Sequence, residues 1–430
     1  MFQTIVNALK IKEVRNKILI TIALLFVYRL GCYIPVPGIN GFSGLSDYTF
    51  LQIMSAVSGG ALTYGTFFAM GIGPYINASI IIQLLSVGIP ALERLSKQGE
   101  EGRRRNNTYT RILTLVLAVA QAIGILVAFG GSNSIDFNKL FGGDGFPRFM
   151  SYVFLVLVYT TGSALTMWIG ERITDYGVSN GISLLIFAGI LSTAGTAIIS
   201  LLKQLGSPDT AMSAAWTLVG FVGAAIIIFA AIVAVNSAER KISVQYAKQV
   251  KGRKMYGGQS THIPIKVNAT GVMPLIFSFA ILSFPDLIIN LFGVKSDNWW
   301  STYVGTDSWL YMVLLCLLIL FFSYFYNQIQ FNPDDISKSI QGNGGFIPGI
   351  RPGKPTADYL KKVSNRITLF GAIFLAIVAL IPSLVFKAID IGLVNAFSAT
   401  GLLIIVSVAL EFEQALQSQI MMKNYKGFLK

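Results

Sequence analysis

The stretch Ser58–Leu85, SGGALTYGTFFAMGIGPYINASIIIQLL, decides how the rest of the chain is read. It joins a glycine pair, an apolar segment of about ten residues (Ala61–Met70), a Gly-Ile-Gly-Pro breaker and an isoleucine-rich helix. A bilayer-spanning helix needs ~20 apolar residues, so Ala61–Met70 can enter a membrane only partway. Irregular backbone survives at that depth only where protein buries it or water reaches it, which implies a cavity. The helix after Pro74 then starts inside or beside that cavity, with Ile76 and Ile80 one turn apart on one face. A re-entrant packing element with no function of its own would leave the same pattern.

The surrounding chain is that of a polytopic membrane protein. Of 430 residues, 53% are hydrophobic and 12% charged, with a mean hydropathy of +0.64, far more apolar surface than a soluble core uses. Ten spans follow from the apolar runs: 18–36, 72–92, 112–130, 149–170, 181–201, 214–235, 269–291, 309–330, 368–387 and 393–411. The first has no small-residue cleavage site before Pro35 and reads as a retained span. With the N-terminus inside, the inner segments hold 27 of the 33 lysines and arginines, which sets both termini in the cytoplasm. The net charge of +13 is thereby a matter of topology before it is one of ligand.

The segment 1–17 reads as an amphipathic cytoplasmic helix, with Phe2, Ile5, Val6 and Leu9 on one side. Five spans make a first half, 18–201, and five a second, 214–411, joined by an outer loop at 202–213; a short cytoplasmic tail, 412–430, follows. An odd number per half makes the two run in opposite senses, an inverted repeat if the halves are related. Two inner loops, 236–267 and 331–367, exceed what a connection requires. Alternation over Arg240–Tyr246 predicts a strand, and Gly252-Arg253-Lys254 a basic turn. The glycines and prolines of GGFIPGIRPGKPTADYL forbid a continuous helix and favour a firm protruding loop. Long loops of mixed apolar and basic content point to docking of a large cytoplasmic partner. A ribosome would meet Arg253 and Lys254 through phosphates, whereas a protein motor would also need shape and apolar contact.

Chemistry-bearing constellations are absent from the sequence. His262 is the single histidine, without a second ligand nearby, so a structural role is favoured. Cys32 and Cys316 suit neither a disulfide framework nor a zinc site and read as buried thiols. There is no phosphate-binding glycine loop of the Walker type. Arg29 is the one lysine or arginine well inside a predicted span. Ion-coupled transporters usually need buried carboxylates, so a conduit is favoured over a coupled carrier. Gln121 in the third span and Asn268 at the seventh are amides of the kind that join helices inside a membrane.

The motifs SGGAL, GIGPYINASIIIQLL, GEEGRRR, ERITDYGVSNGIS with IFAGI, YAKQVKGRKMYGGQSTHIPIKVN, PLIF, FNP, GFIPGIRPGKPT and TGLLIIV resemble those of the SecY family, the central subunits of the bacterial protein-translocation channel. The resemblance runs along essentially the whole chain. It implies an all-α polytopic membrane protein of ten transmembrane helices in two inverted halves, with an hourglass pore, a short plug helix and a lateral gate into lipid. Its pore ring falls on Ile76, Ile80, Ile186, Ile190, Ile276 and Ile404. The plug falls on about 61–70, including Ala61, Leu62, Tyr64, Gly65, Thr66, Phe67 and Phe68. The polar seam of the gate falls on Ser86, Gln121 and Asn268. Arg253 and Lys254 are assigned to ribosome docking and Arg351 to the SecA ATPase. Lys254 stands where some relatives carry a second arginine; it keeps the charge and loses the planar fork.

What the resemblance further implies is a channel in the bacterial cell membrane. It would pass unfolded secretory polypeptides outward and release transmembrane segments into membrane lipid. Its partners would be SecE, SecG, SecA, the ribosome, signal peptides and the translocating polypeptide; no cofactor and no enzymatic step are expected. The alternatives are an ion-coupled secondary transporter with inverted repeats and an intramembrane protease, whose residues the chain lacks.

Overall fold

The computed structural model describes residues 2–42, 51, 54–55, 57–96, 98–129, 134–137, 140–142, 145–205, 211–246, 249–251, 254–256, 260–268, 270–271, 273–291, 303, 308–389 and 399–427. The helices in order are α1 (Phe2–Lys10), α2 (Lys12–Gly31), α3 (Gly73–Gly88), α4 (Pro90–Ser96), α5 (Glu100–Phe129), α6 (Phe146–Tyr176), α7 (Gly181–Leu205) and α8 (Ala211–Ser237). After the strands β1 (Glu239–Tyr246), β2 (Gln249–Lys251), β3 (Lys254–Tyr256) and β4 (Ser260–Lys266) come α9 (Met273–Leu291), α10 (Trp309–Gln330), α11 (Pro333–Gly342), β5 (Gly345–Phe346), α12 (Lys354–Ile389) and α13 (Ala399–Gly427).

Every span anticipated from the apolar runs overlaps one of these helices. Among the described residues, Glu100–Phe129, Phe146–Tyr176, Trp309–Gly342 and Lys354–Leu380 carry apolar runs long enough to cross a membrane. The boundaries move where polar residues continue a helix beyond the apolar run. Thus α12 starts at Lys354 and α13 continues to Gly427, so most of the segment expected as a tail is helical. Starts are marked by Pro74 in the first turn of α3 and by Ser308, whose hydroxyl accepts from Leu310 N at 3.2 Å at the head of α10; both satisfy or remove donors that a helix start leaves unpaired.

In the first half α3 packs on α5, α5 on α6, α6 on α7 and α2 on α6; in the second, α9 packs on α10, α10 on α12 and α8 on α13. The halves meet where α5 touches α9 and α7 touches α13. The amphipathic α1 does not stand alone: its Ala8 shares a buried cluster with Val14 and Ile18 of α2, Val178 after α6 and Leu416 of α13. Cys32 is buried and Cys316 partly so, both as free thiols.

Among the described residues, the named strands all lie in the two long loops 236–267 and 331–367. The strand anticipated at Arg240–Tyr246 is β1, which pairs antiparallel with β4, Glu239 opposite Lys266, and with β5, Gln245 opposite Phe346. Its alternation puts Ile242 and Val244 inward against Ile265, Ile340, Ile347 and Leu360, as a half-buried strand requires. Both loops therefore share one small core. Exposed His262 sits opposite Ser243 in β4, a structural position.

Candidate functional site

Residues 58–72 are a succession of turns, so the short plug helix expected over Ala61–Met70 is corrected. Gly59, Gly60, Gly65 and Gly71 have φ of 70°, 84°, 59° and 52°, left-handed values that interrupt a right-handed helix every few residues. The turns fold back on the chain leaving α2: Phe67 N donates to Ile34 O at 2.9 Å, Phe42 N to Thr63 O at 3.0 Å and Val36 N to Gly65 O at 3.3 Å. Thr66 pairs with Pro35 as an isolated bridge, and its Oγ1 donates to Ala61 O at 3.1 Å. Ala61, Leu62, Thr66 and Phe68 are buried, whereas Tyr64 is 67% exposed; Gly65 is buried and Phe67 half-buried.

The helices around this segment meet it with glycines. A Cβ at Gly31 of α2 would run into the Phe68 ring, one at Gly162 of α6 into the Phe67 carbonyl, and one at Gly189 of α7 into the Val57 carbonyl. Close backbone approach of this kind is the reason for glycine at a helix contact inside a membrane. Phe68 also stacks on Tyr28 of α2, centroids 5.8 Å apart.

Five of the six predicted isoleucines lie in, or pack against, the apolar cluster that holds Ala61 and Phe68. Ile186 and Ile190 of α7 and Ile404 of α13 share an apolar cluster with Ala61 and Phe68. Ile80 of α3 lies in a second cluster with Phe277, Phe322 and Tyr326. Ile76 of α3 and Ile276 of α9 pack against both, so the two clusters are continuous.

The three residues predicted for a polar seam are not joined to one another by any hydrogen bond among the described residues. Ser86 Oγ donates to Gln83 O of its own helix at 2.7 Å. Asn268 Nδ2 donates to Asn236 Oδ1 at 2.7 Å, and Asn236 Nδ2 to Ser407 Oγ at 3.1 Å, which ties α8 and the entry of α9 to α13. Gln121 is 2% exposed, and neither its Oε1 nor its Nε2 has a partner. One bond that crosses the halves was missed by the sequence reading: Tyr326 of α10 donates its hydroxyl to Gln83 Oε1 of α3. Gln83 Nε2 in turn donates to Ser79 Oγ at 3.0 Å. The signal available was a second amide within a span, one helical turn from a serine. Its partner lies 243 residues away, beyond any local pattern.

Exposed Arg351 sits in a loop pinned at both flanks. Its carbonyl accepts from Thr356 Oγ1 at 2.8 Å, and Gly353 O accepts from Ser337 Oγ at 2.7 Å. Lys254 opens β3, opposite Lys251 in the hairpin β2–β3; Arg253 lies outside the described residues.

A helical bundle with apolar helices long enough to cross a membrane, a segment of turns packed among them and two long loops that share a small sheet has the make-up of a multi-pass membrane protein of the channel fold. The likeness extends to solved structures described as "The structure of a protein conducting channel" (TM-score 0.68, 19% identity, 94% of this chain and 92% of that one) and as canine Sec61 in the ribosome-channel complex from the endoplasmic reticulum (TM-score 0.63, 18% identity, 94% and 92%). The SecY family model matches residues 66–413, and the protein translocase subunits SecY of Mycobacterium bovis and Staphylococcus carnosus are each 40% identical, covering all of this chain and 100% and 99% of theirs. The chain belongs to the SecY family.

Proposed function

We propose that this chain is the conducting subunit of a protein translocase in the bacterial cytoplasmic membrane, with both termini inside. It passes unfolded polypeptides outward and releases apolar segments sideways into lipid. The observation that carries this reading is the continuity of six isoleucines from α3, α7, α9 and α13 with the buried turns of residues 58–72. A collar of stiff, uncharged side chains excludes ions by dewetting. It can widen around any polypeptide because it demands no specific pairing. The turns act as the plug below it, and the seam crossed by Gln83 and Tyr326 acts as the lateral exit.

The chain performs no covalent chemistry in this reading; energy comes from partners. Arg351, held outward on a pinned loop, suits coupling to the SecA motor. The basic hairpin of Arg253 and Lys254 suits ribosomal phosphates, and two solved structures of this fold are described as ribosome-bound or in a ribosome-channel complex. SecE and SecG complete the complex.

The test is a secretory chain arrested midway through the reconstituted complex, with Cys32 and Cys316 replaced by serine and a single cysteine introduced by Ile190→Cys. Disulfide capture of the arrested chain at that position is the expected result. Successful export with no capture there would move the path away from the isoleucines and overturn the assignment.

A further inference from the structure

An arginine within a membrane span is costly to bury and marks function by default, and Arg29 on α2 is the one lysine or arginine well inside a predicted span. Its guanidinium reaches two elements at once. Nη2 donates to the carbonyl of Gly59 at 3.3 Å, at the start of the plug turns, and to Ser192 Oγ of α7. The group lies against the Tyr33 ring at 5.2 Å, and its Nη1 is buried with no hydrogen-bond partner. Gly59 leaves room for it, since a Cβ there would collide with Nη1.

The geometry of α7 gives this contact its meaning. Ser192 stands one helical turn beyond Gly189, which abuts the Val57 carbonyl, and between them lies the collar residue Ile190. One turn of α7 therefore carries a collar side chain, the backbone seat of the plug and the acceptor for Arg29. We infer that Arg29 is a latch coupling the plug to the collar helix: the plug stays seated while α7 is in place, and displacement of α7 by an entering chain breaks both holds together. The inference rests on reading the turns of residues 58–72 as the plug. The idle Nη1 makes the latch weaker than a fully paired guanidinium would be, which suits a hold that must release in each cycle.

The test uses the complete complex in proteoliposomes, with Cys32 and Cys316 replaced by serine and a reporter thiol introduced by Thr66→Cys, a position 2% exposed. A charged maleimide supplied on both faces reads how often the resting plug leaves its seat, and export of a signal-bearing protein is measured in parallel. Arg29→Gln removes the charge at similar length and should speed labelling about tenfold to a hundredfold, the factor carried by a charge-assisted hydrogen bond. Ser192→Ala should speed it by about threefold. Ser192→Asp should slow it below the unsubstituted rate, because a carboxylate holds the guanidinium more tightly. A merely structural arginine would not give opposite signs at Ser192. If Arg29→Gln fails to assemble, the two Ser192 variants decide. Labelling at the unsubstituted rate in both, in complexes that export, overturns the latch. Loss of export by the unsubstituted complex would instead overturn the channel reading.

Discussion

The turns of residues 58–72, proposed as the plug, are held largely by main chain, and the contact between the two halves at Gln83 and Tyr326 is made by side chains. Around the plug, backbone bonds run from Phe67 to Ile34 and from Phe42 to Thr63, and glycines of three helices admit its carbonyls and rings at contact distance. Across the seam, one hydroxyl bonds one amide, Tyr326 to Gln83, beside the stacked rings of Tyr326 and Phe277 at 4.9 Å. Backbone contacts cannot be relieved by a rotamer change, so the plug leaves its seat as a unit or not at all. Side-chain contacts can be released singly, each by a rotamer change of its own. The difference matches two tasks: an all-or-none seal against ions, and a seam that samples opening.

The largest effect should come from breaking the main-chain seat. In Gly162→Val the new side chain meets the Phe67 carbonyl, and overpacking against immovable backbone costs about 3 kcal/mol. The resting channel should leak ions, measured as single-channel conductance in planar bilayers, while the halves stay closed to lipid-side crosslinkers at the seam. Next, Ile80→Asn puts an amide into the apolar zone shared with Phe277 and Phe322 at a cost of about 2 kcal/mol. Partial hydration should raise leak less than Gly162→Val does; equal leak from both would erase the distinction between seat and collar.

How far the sequence could be read follows the range of the interactions. Apolar runs fix where helices lie because each run satisfies its own backbone. Alternation located β1, since a strand's inward residues are spaced locally. Its second partner, β5, comes from a loop about a hundred residues on, and nothing near Gly345-Phe346 announces the pairing. The plug shows the same limit: its glycines were visible as breakers, but the pairing of Thr66 with Pro35 that turns the segment away from a helix is tertiary. The collar isoleucines were named by resemblance, and no local pattern separated them from isoleucines facing lipid. Arg29 stood out as a charge among apolar neighbours, yet Ser192, 163 residues away, could not be guessed as its partner.

A smaller effect is expected at the seam. Tyr326→Phe keeps the ring contacts with Phe277 and Phe322 and removes only the hydroxyl, for a loss of about 1 kcal/mol. The lateral gate should open more often, read as faster crosslinking of a signal peptide to lipid, with resting ion conductance unchanged. A rise in conductance would mean that the seam and the seal are one device.

Gln121 and Asn268 give the smallest effects and the finest discrimination, because they are the same chemistry in opposite circumstances. Asn268 is satisfied by Asn236 and, through it, Ser407. Replacing it leaves Asn236 Oδ1 without that bond in a half-buried site, and Asn268→Leu should lower stability by about 1 kcal/mol. Gln121 has both amide atoms buried and unpartnered, so the resting state already bears the desolvation cost of that group. Gln121→Leu removes the cost at nearly the same volume and should stabilise the resting channel by somewhat under ~1 kcal/mol. Its thermal unfolding should shift upward, and export of precursors with weakened signal peptides should slow, since opening then starts from a deeper well. An amide kept buried without a partner at rest makes sense only if it finds one when the helices separate. A Gln121→Leu channel of unchanged stability and unchanged signal selectivity would leave Gln121 an ordinary packing residue of α5.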